Sequence, residues 1–394
     1  MRDVTTSRMT ALVLAFYVAV SWTWVIGMML PVLLVRDFGI AGWILFAIPN
    51  IVGAASLGWR LRSAGDAADF AARHAGAVSA FTAATLVLQG FAMAWIVTRV
   101  LGGTAGLVGT AAVATAMVLG RRLESGLPSL APVVWLFSAT VAFFVAGDAR
   151  TPEMADVEIG WLGLAGLAAI CSLGFLLCPY LDASLLAARQ AAGTRGRFTF
   201  GVGFAVLFTS MILVTLAYAT TLPALMNGAD FGAIGLFIGL HLIVQVAFTN
   251  VAHLTSLRRL ADFVNRPNLA SSSLIAAGVM ACVTGWAVAV EVPLLDASGN
   301  QSGWSLDAVR LFDYRPGEVG YRTLLVFYGL VFPAYLLLGS RRMWVAVVLA
   351  MPPIAVAFLG GEMAWSMAVV AIVMILYLID RRRSREQPRP LDAR

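Results

Sequence analysis

Asp182 lies in the stretch GWLGLAGLAAICSLGFLLCPYLDASLLAARQ, an apolar run of about 30 residues that is long enough to cross a bilayer. A carboxylate in such a run costs roughly 2.5–3.5 kcal/mol on insertion scales, so it must face a cavity, a cation or an arginine. Pro179 stands just before it. Proline removes an N–H and clashes with the carbonyl one turn earlier, so the helix is expected to unwind near Cys178–Tyr180. Freed carbonyls and amides at such a break can hold an ion or a polar solute. Two roles stay open for Asp182: lining an inner pathway and carrying protons, or pairing with an arginine such as Arg189.

A second group sits in ALVLAFYVAVSWTWVIGMMLPVLLVRDFG. Ser21, Thr23 and Gly27 interrupt the apolar run there and Pro31 follows, so a second break is expected over Thr23–Gly27. A third group is a stripe of His241, Gln245, Thr249 and Ser256, which helical geometry puts within about 80° of one face. Such a stripe must face protein or water, as a pathway or as hydrogen-bonding glue. His253 lies slightly further round, and Asn250 points the opposite way. A fourth, weaker stripe holds Ser79, Thr82 and Gln89, with Trp95 beyond it. Trp22, Thr23, Gly27, Gln89, Cys178, Tyr180, Asp182, His241 and Gln245 are the candidate substrate-binding residues. Thr249 is the candidate ligand of a cation, with sodium the first expectation and no other cofactor. No residue is assigned a catalytic role.

The elements that position these residues follow from composition. The chain has 394 residues, 60% hydrophobic and 12% charged, with mean hydropathy +0.86. Soluble domains average about 25% charged, and disorder needs still fewer apolar residues, so both classes are excluded. Apolar runs predict twelve spans, at about 10–35, 40–59, 76–100, 104–120, 128–147, 160–188, 200–223, 232–256, 271–293, 319–339, 342–360 and 362–380. All 27 basic residues are arginine. Loops on one predicted side carry 21 of them and loops on the other carry 6, alternating along the chain. Arginine-rich loops stay in the cytoplasm. Both termini are therefore expected there, in the inner membrane, which reads the net charge of +6 as topology rather than as nucleic-acid binding.

Residues 1–380 read as one transmembrane domain, and 381–394 as a basic cytoplasmic tail that meets anionic lipid. The outer loop 294–318, with Trp304, Phe312 and Tyr314, either covers an extracellular mouth or merely connects. Cys171, Cys178 and Cys282 lie inside apolar runs and form no disulfide framework.

Several stretches together resemble the sodium/solute symporter family. WILFAIPNIVGAASLGWRLRSAGDAADFAARHAG resembles its second-to-third core helix region, through Gly65, Asp69, Phe70, Arg73 and Gly76. SWTWVIGMMLPVLLVRDFGIAGW is similar to its first core helix, with Phe38-Gly39 as the terminal aromatic-glycine pair. GFLLCPYLDASLLAAR looks like a further family segment, with Pro179 and Arg189 in place. The resemblance covers spans 1–3 and 6. It implies the leucine-transporter type of fold: inverted repeats of five helices at about 10–147 and 160–339, plus helices at 342–380. It also implies sodium between the first break and the eighth core helix, where Thr249 stands and Asn250 replaces the family's second hydroxyl.

Three functions follow as expectations. The foremost is a cation-coupled symporter of a small organic solute, its site lying between spans 1, 3, 6 and 8 and its solute sandwiched by Trp22 and Tyr180. The others are a transporter-like sensor or assembly subunit without transport, and a membrane-embedded lipid-modifying transferase. The sequence has no HExxH, GxSxG or P-loop, so an enzyme is not expected. Substrate identity and oligomeric state are not encoded legibly.

Overall fold

The computed structural model describes residues 6–23, 25–120, 126–147, 160–219, 221–222, 232–266, 272–291, 324–339 and 362–386. Among these, all regular structure is helical and no strand occurs. Seven helices are long and apolar enough to cross a membrane. Four shorter apolar helices accompany them: Arg8–Trp22, Gly103–Leu119, Leu324–Leu338 and Ala368–Ile379. This fits a multi-pass membrane protein. The expected span at 342–360, the 294–318 loop and the end of the tail lie outside the described residues.

By contact the chain falls into two compact units, Met1–Val157 with Pro179–Leu306, and Glu158–Cys178 with Asp307–Arg394. In the first unit the chain starts with α1 (Arg8–Trp22), α2 (Val25–Arg60), α3 (Ala64–Arg73), α4 (Ala75–Leu101), α5 (Gly103–Leu119) and α6 (Leu127–Gly147). The expected boundary between spans 1 and 2 falls at Gly39, inside α2. Gly39 has φ +60° and ψ −160°, a conformation that only glycine reaches without strain. The chain folds back there, so a Cβ on Gly42 would come 2.6 Å from the Leu34 carbonyl oxygen.

The second unit contributes α7 (Trp161–Leu177), followed by a 3-10 turn over Cys178–Leu181. The first unit then resumes with α8 (Ala183–Ala191), α9 (Gly196–Val202), a π turn (Gly203–Phe208) and α10 (Thr209–Ala217). It ends with α11 (Ala233–Phe263) and α12 (Ser272–Glu291). The second unit closes with a π turn (Phe327–Val331), α13 (Phe332–Leu338) and α14 (Glu362–Glu386).

Small residues set the helix contacts, as expected where lipid removes the hydrophobic drive for association. In the first unit a Cβ on Gly90 would meet Cys282 Sγ at 2.8 Å, and one on Gly285 would meet the Phe91 carbonyl oxygen at 2.3 Å. The α4–α12 pair is thereby locked at backbone distance. In the second unit a Cβ on Gly174 would lie 2.7 Å from the Tyr328 carbonyl oxygen, so α7 seats directly on the π turn.

Over the stretch at residues 65–76, α3 is a short helix outside the long spans. Its N-terminus is a capping box: Ser63 Oγ accepts from Asp66 N at 3.0 Å, and Asp66 Oδ2 accepts from Ser63 N at 3.1 Å. The bond to the Ser63 side chain, then that to its backbone, holds the Asp66 carboxyl below its ordinary value. A carboxyl depressed in the folded state adds stability above its unfolded pKa of about 3.9, and loses it as pH falls through the folded value. Amide exchange over α3 should therefore accelerate below about pH 4. Asp66→Asn should remove that acid step, and an unchanged profile would show that the box does not hold the helix.

Candidate functional site

Both expected breaks are present. α1 stops at Trp22, and Thr23 leaves helical geometry at φ −78° and ψ 80°. Helix resumes at Val25, so Gly27, expected as part of the break, is itself helical. A Cβ on Gly27 would find its nearest neighbours at 3.8 and 3.9 Å, so glycine is not sterically required. Three residues before Thr23, Val20 has its carbonyl occupied: Gln245 Nε2 of α11 donates to it at 2.6 Å. The break is closed from within by Thr23 Oγ1, which donates to Ala19 O at 2.8 Å.

Trp22, expected to sandwich a solute, is buried and already engaged. Its indole N–H donates to Asn50 Oδ1 at 2.6 Å, and its ring stacks on Phe81 with centroids 6.5 Å apart. Thr249 Oγ1 donates to the Gln245 carbonyl oxygen at 2.9 Å and lies 3.4 Å from Gln245 Nε2. The Gln245 amide therefore occupies the position in which a cation between Thr249 and the break would sit. Gln245 Oε1 is the polar atom left over there, buried with no hydrogen-bond partner among the described residues. Such an atom costs about 1–3 kcal/mol.

The second break is the 3-10 turn over Cys178–Leu181, after which Asp182 leaves helical geometry at φ −79° and ψ 115°. Cys178 belongs to the second unit, where its thiol donates to Tyr328 O at 3.0 Å. Tyr180 belongs to the first. Its hydroxyl shares a 2.7 Å hydrogen bond with Ser56 Oγ, and its ring faces Phe70 of α3 at 5.9 Å.

Asp182 is fully buried and N-caps α8. Its Oδ1 accepts from Ser184 N at 2.7 Å, Ser184 Oγ at 2.6 Å and Leu185 N at 3.0 Å. Its Oδ2 faces His253 Nε2 of α11 at 3.3 Å, and both side chains have zero exposure. Arg189, the partner suggested by sequence, donates to the Leu61 carbonyl oxygen at 2.6 Å and the Gly193 carbonyl oxygen at 3.0 Å.

His241 lies toward the start of α11 and opens on a cavity of about 30 Å³, lined among others by Met28, Ser138, Val145, Tyr218 and Leu242. That is room for about two waters. His241 Nδ1 and Ser138 Oγ are buried there without a partner among the described residues, while Tyr218 Oη donates to Met28 O at 3.0 Å. Gln89 is fully buried on α4, and both of its amide atoms lack a partner among the described residues. Asn250, read as pointing away from the stripe, donates from Nδ2 to Met117 Sδ of α5 at 3.6 Å.

The structure thus brings Gln245, with Thr249 beside it on α11, to the end of α1 ahead of Thr23, and places Tyr180 and Asp182 at the other break. Sequence reasoning missed Asn50, Ser56, Ser184 and the Asp182–His253 pairing. Ser184 was legible as part of an Asp-x-Ser start to α8. Asn50, which follows Pro49 in an apolar run, was legible as a polar residue needing a partner. Among the described residues no group of three or more His, Cys, Asp and Glu side chains could hold a metal ion. Compared with models of known protein families and with curated proteins, the chain matches none.

Proposed function

We propose that this protein is a cation-coupled secondary active transporter of a small organic solute. It would reside in the cell inner membrane with both termini cytoplasmic, on a leucine-transporter-type arrangement of two five-helix repeats and two further helices. One observation carries the reading: two long apolar stretches are interrupted, at Thr23 and at Cys178–Asp182, and buried polar side chains gather at both interruptions. Broken helices in corresponding positions of two repeats mark solute and ion sites in transporters. A purely structural bundle has no use for a buried carboxylate, imidazole and unpaired amide, each of which costs stability.

The first break, Gln245 Oε1 and the cavity at His241 and Ser138 supply a few hydrogen-bonding atoms among apolar walls. Such a surface selects a small solute of low net charge and spans only part of it when closed. Sodium at Thr249 requires the Gln245 amide to move away from Val20. A proton requires no such displacement.

The test is thermal unfolding of the detergent-purified chain against a solute panel, with sodium, potassium and pH varied. A solute at 100 times its Kd should add about 2.7 kcal/mol of apparent stability, and the same solute should accumulate in proteoliposomes under an ion gradient. A solute that stabilises without being moved would favour a sensor or assembly subunit, and chemical conversion of a lipid would favour a transferase.

A further inference from the structure

The inner surface of the second break holds a pair of ionisable groups that no solute site needs. Asp182 Oδ1 is saturated by three donors from α8. Its other oxygen makes no hydrogen bond among the described residues and faces His253 Nε2 at 3.3 Å. Charge-assisted contacts of this type close to about 2.7–2.9 Å. The 3.3 Å separation therefore brings the two groups together without the tight geometry of a locked ion pair.

With the carboxylate ionised and the imidazole neutral, the pair carries one net negative charge at zero exposure. Removing such a charge from water costs several kcal/mol even after relaxation. One proton from water, taken on Nε2 and facing Oδ2, brings the pair to zero net charge and offsets part of that cost. When the site opens, water solvates the carboxylate and the proton can leave by the same step reversed. We propose that Asp182 and His253 form the proton-binding site of this protein, the pair holding one proton while closed and releasing it on opening. The inference rests on the transporter reading for its purpose, though not for its chemistry.

Location supports a coupling role. Asp182 stands between the 3-10 turn and α8, while His253 rides on α11 with Gln245, whose amide reaches the Val20 carbonyl oxygen beside the first break. A change in the pair's charge therefore acts on both breaks through one helix.

Other charged and titratable groups stand on the elements packed around α8 and α11. From α1, the Tyr17 hydroxyl lies 3.4 Å from Ser256 Oγ and feels the charges of Asp182 and Arg259. On α8 Arg189 binds the two backbone carbonyls already described, and its charge reaches Asp66 of α3. α2 brings Arg60, whose charge reaches Tyr180. Just before α4, His74 packs on the Phe70 ring with centroids 4.5 Å apart.

The experiment is ¹⁵N-histidine NMR of the full chain in lipid nanodiscs across pH. Only three histidines are present, and the His253 signal is identified by its loss in His253→Gln. The expected result is one protonation step of His253 within the pH range over which the chain stays folded. Asp182→Asn retains the Oδ1 cap and should move that midpoint by at least one pH unit, about tenfold in proton affinity. A midpoint unmoved by Asp182→Asn overturns the proposal, and so does a ring that keeps one protonation state throughout. Solute uptake under a pH gradient separates the two readings. Uptake that persists in Asp182→Asn overturns the proton site while transport stands. A coupled titration in a protein that moves no solute supports the site and removes the transporter reading.

Discussion

Asp182→Ala is expected to lose about 3 kcal/mol of folding stability, read as a lower midpoint in denaturant unfolding of the purified chain. Removing an N-cap alone costs about 0.5–2 kcal/mol. Here three donors, the backbone N–H groups of Ser184 and Leu185 and the Ser184 hydroxyl, lose one acceptor in a place where water is excluded. Each buried donor left unpaired costs about 1–3 kcal/mol. Partial relaxation of the start of α8 and relief of a buried charge reduce the sum. Asp182→Asn separates the two roles of the side chain. Asparagine caps helices as well as aspartate, so the loss should shrink to about 1 kcal/mol or less while the response to pH changes. Equal losses in both variants would mean that the capping bonds are not what stabilises this junction.

Arg189→Met should cost a comparable amount, about 3 kcal/mol. Arg189 is 1% exposed, one of the largest fully buried side chains in the protein. Its Nε and Nη1 tie the Leu61 carbonyl oxygen, just past α2, to the Gly193 carbonyl oxygen, just past α8. A cation at two helix C-termini also meets the negative ends of their dipoles, at about 0.3–1 kcal/mol each. Without the guanidinium, two buried acceptors lose donors at about 1–3 kcal/mol apiece. Arg189→Lys keeps the charge but not the planar fork and should fall between methionine and wild type. Gly196→Ala should damage the same joint, because its Cβ would lie 2.5 Å from Arg189 Cζ. A methionine variant as stable as wild type would show that this joint is dispensable.

Asp182→Ala acts where the chain re-enters helix after Pro179, and that location was legible in the sequence. Proline cannot continue the hydrogen-bond ladder, so a departure from regular helix was expected at Cys178–Tyr180, although Pro31, Pro49 and Pro132 sit inside helices. In the same way Ser21 and Thr23 in an apolar run marked the end of α1, although the break stops short of Gly27. Glycine permits a break, but it does not compel one when its neighbours favour helix. The stripe His241–Gln245–Thr249 followed from helical periodicity, which is local.

The sequence by itself determined that the chain is helical, apolar enough for a membrane and interrupted twice, because these properties depend on composition and on spacings of a few residues. Only the tertiary structure decided what each polar residue meets. Trp22 donates to Asn50, Gln245 donates to the Val20 carbonyl oxygen, Arg189 binds the Leu61 carbonyl oxygen, and Asp182 faces His253. Each of these partners lies far away along the chain. A buried polar group must be satisfied, and this requirement says that a partner exists without naming it. The partner is chosen by which helices pack, and small residues such as Gly90, Gly285 and Gly196 set those contacts at backbone distance.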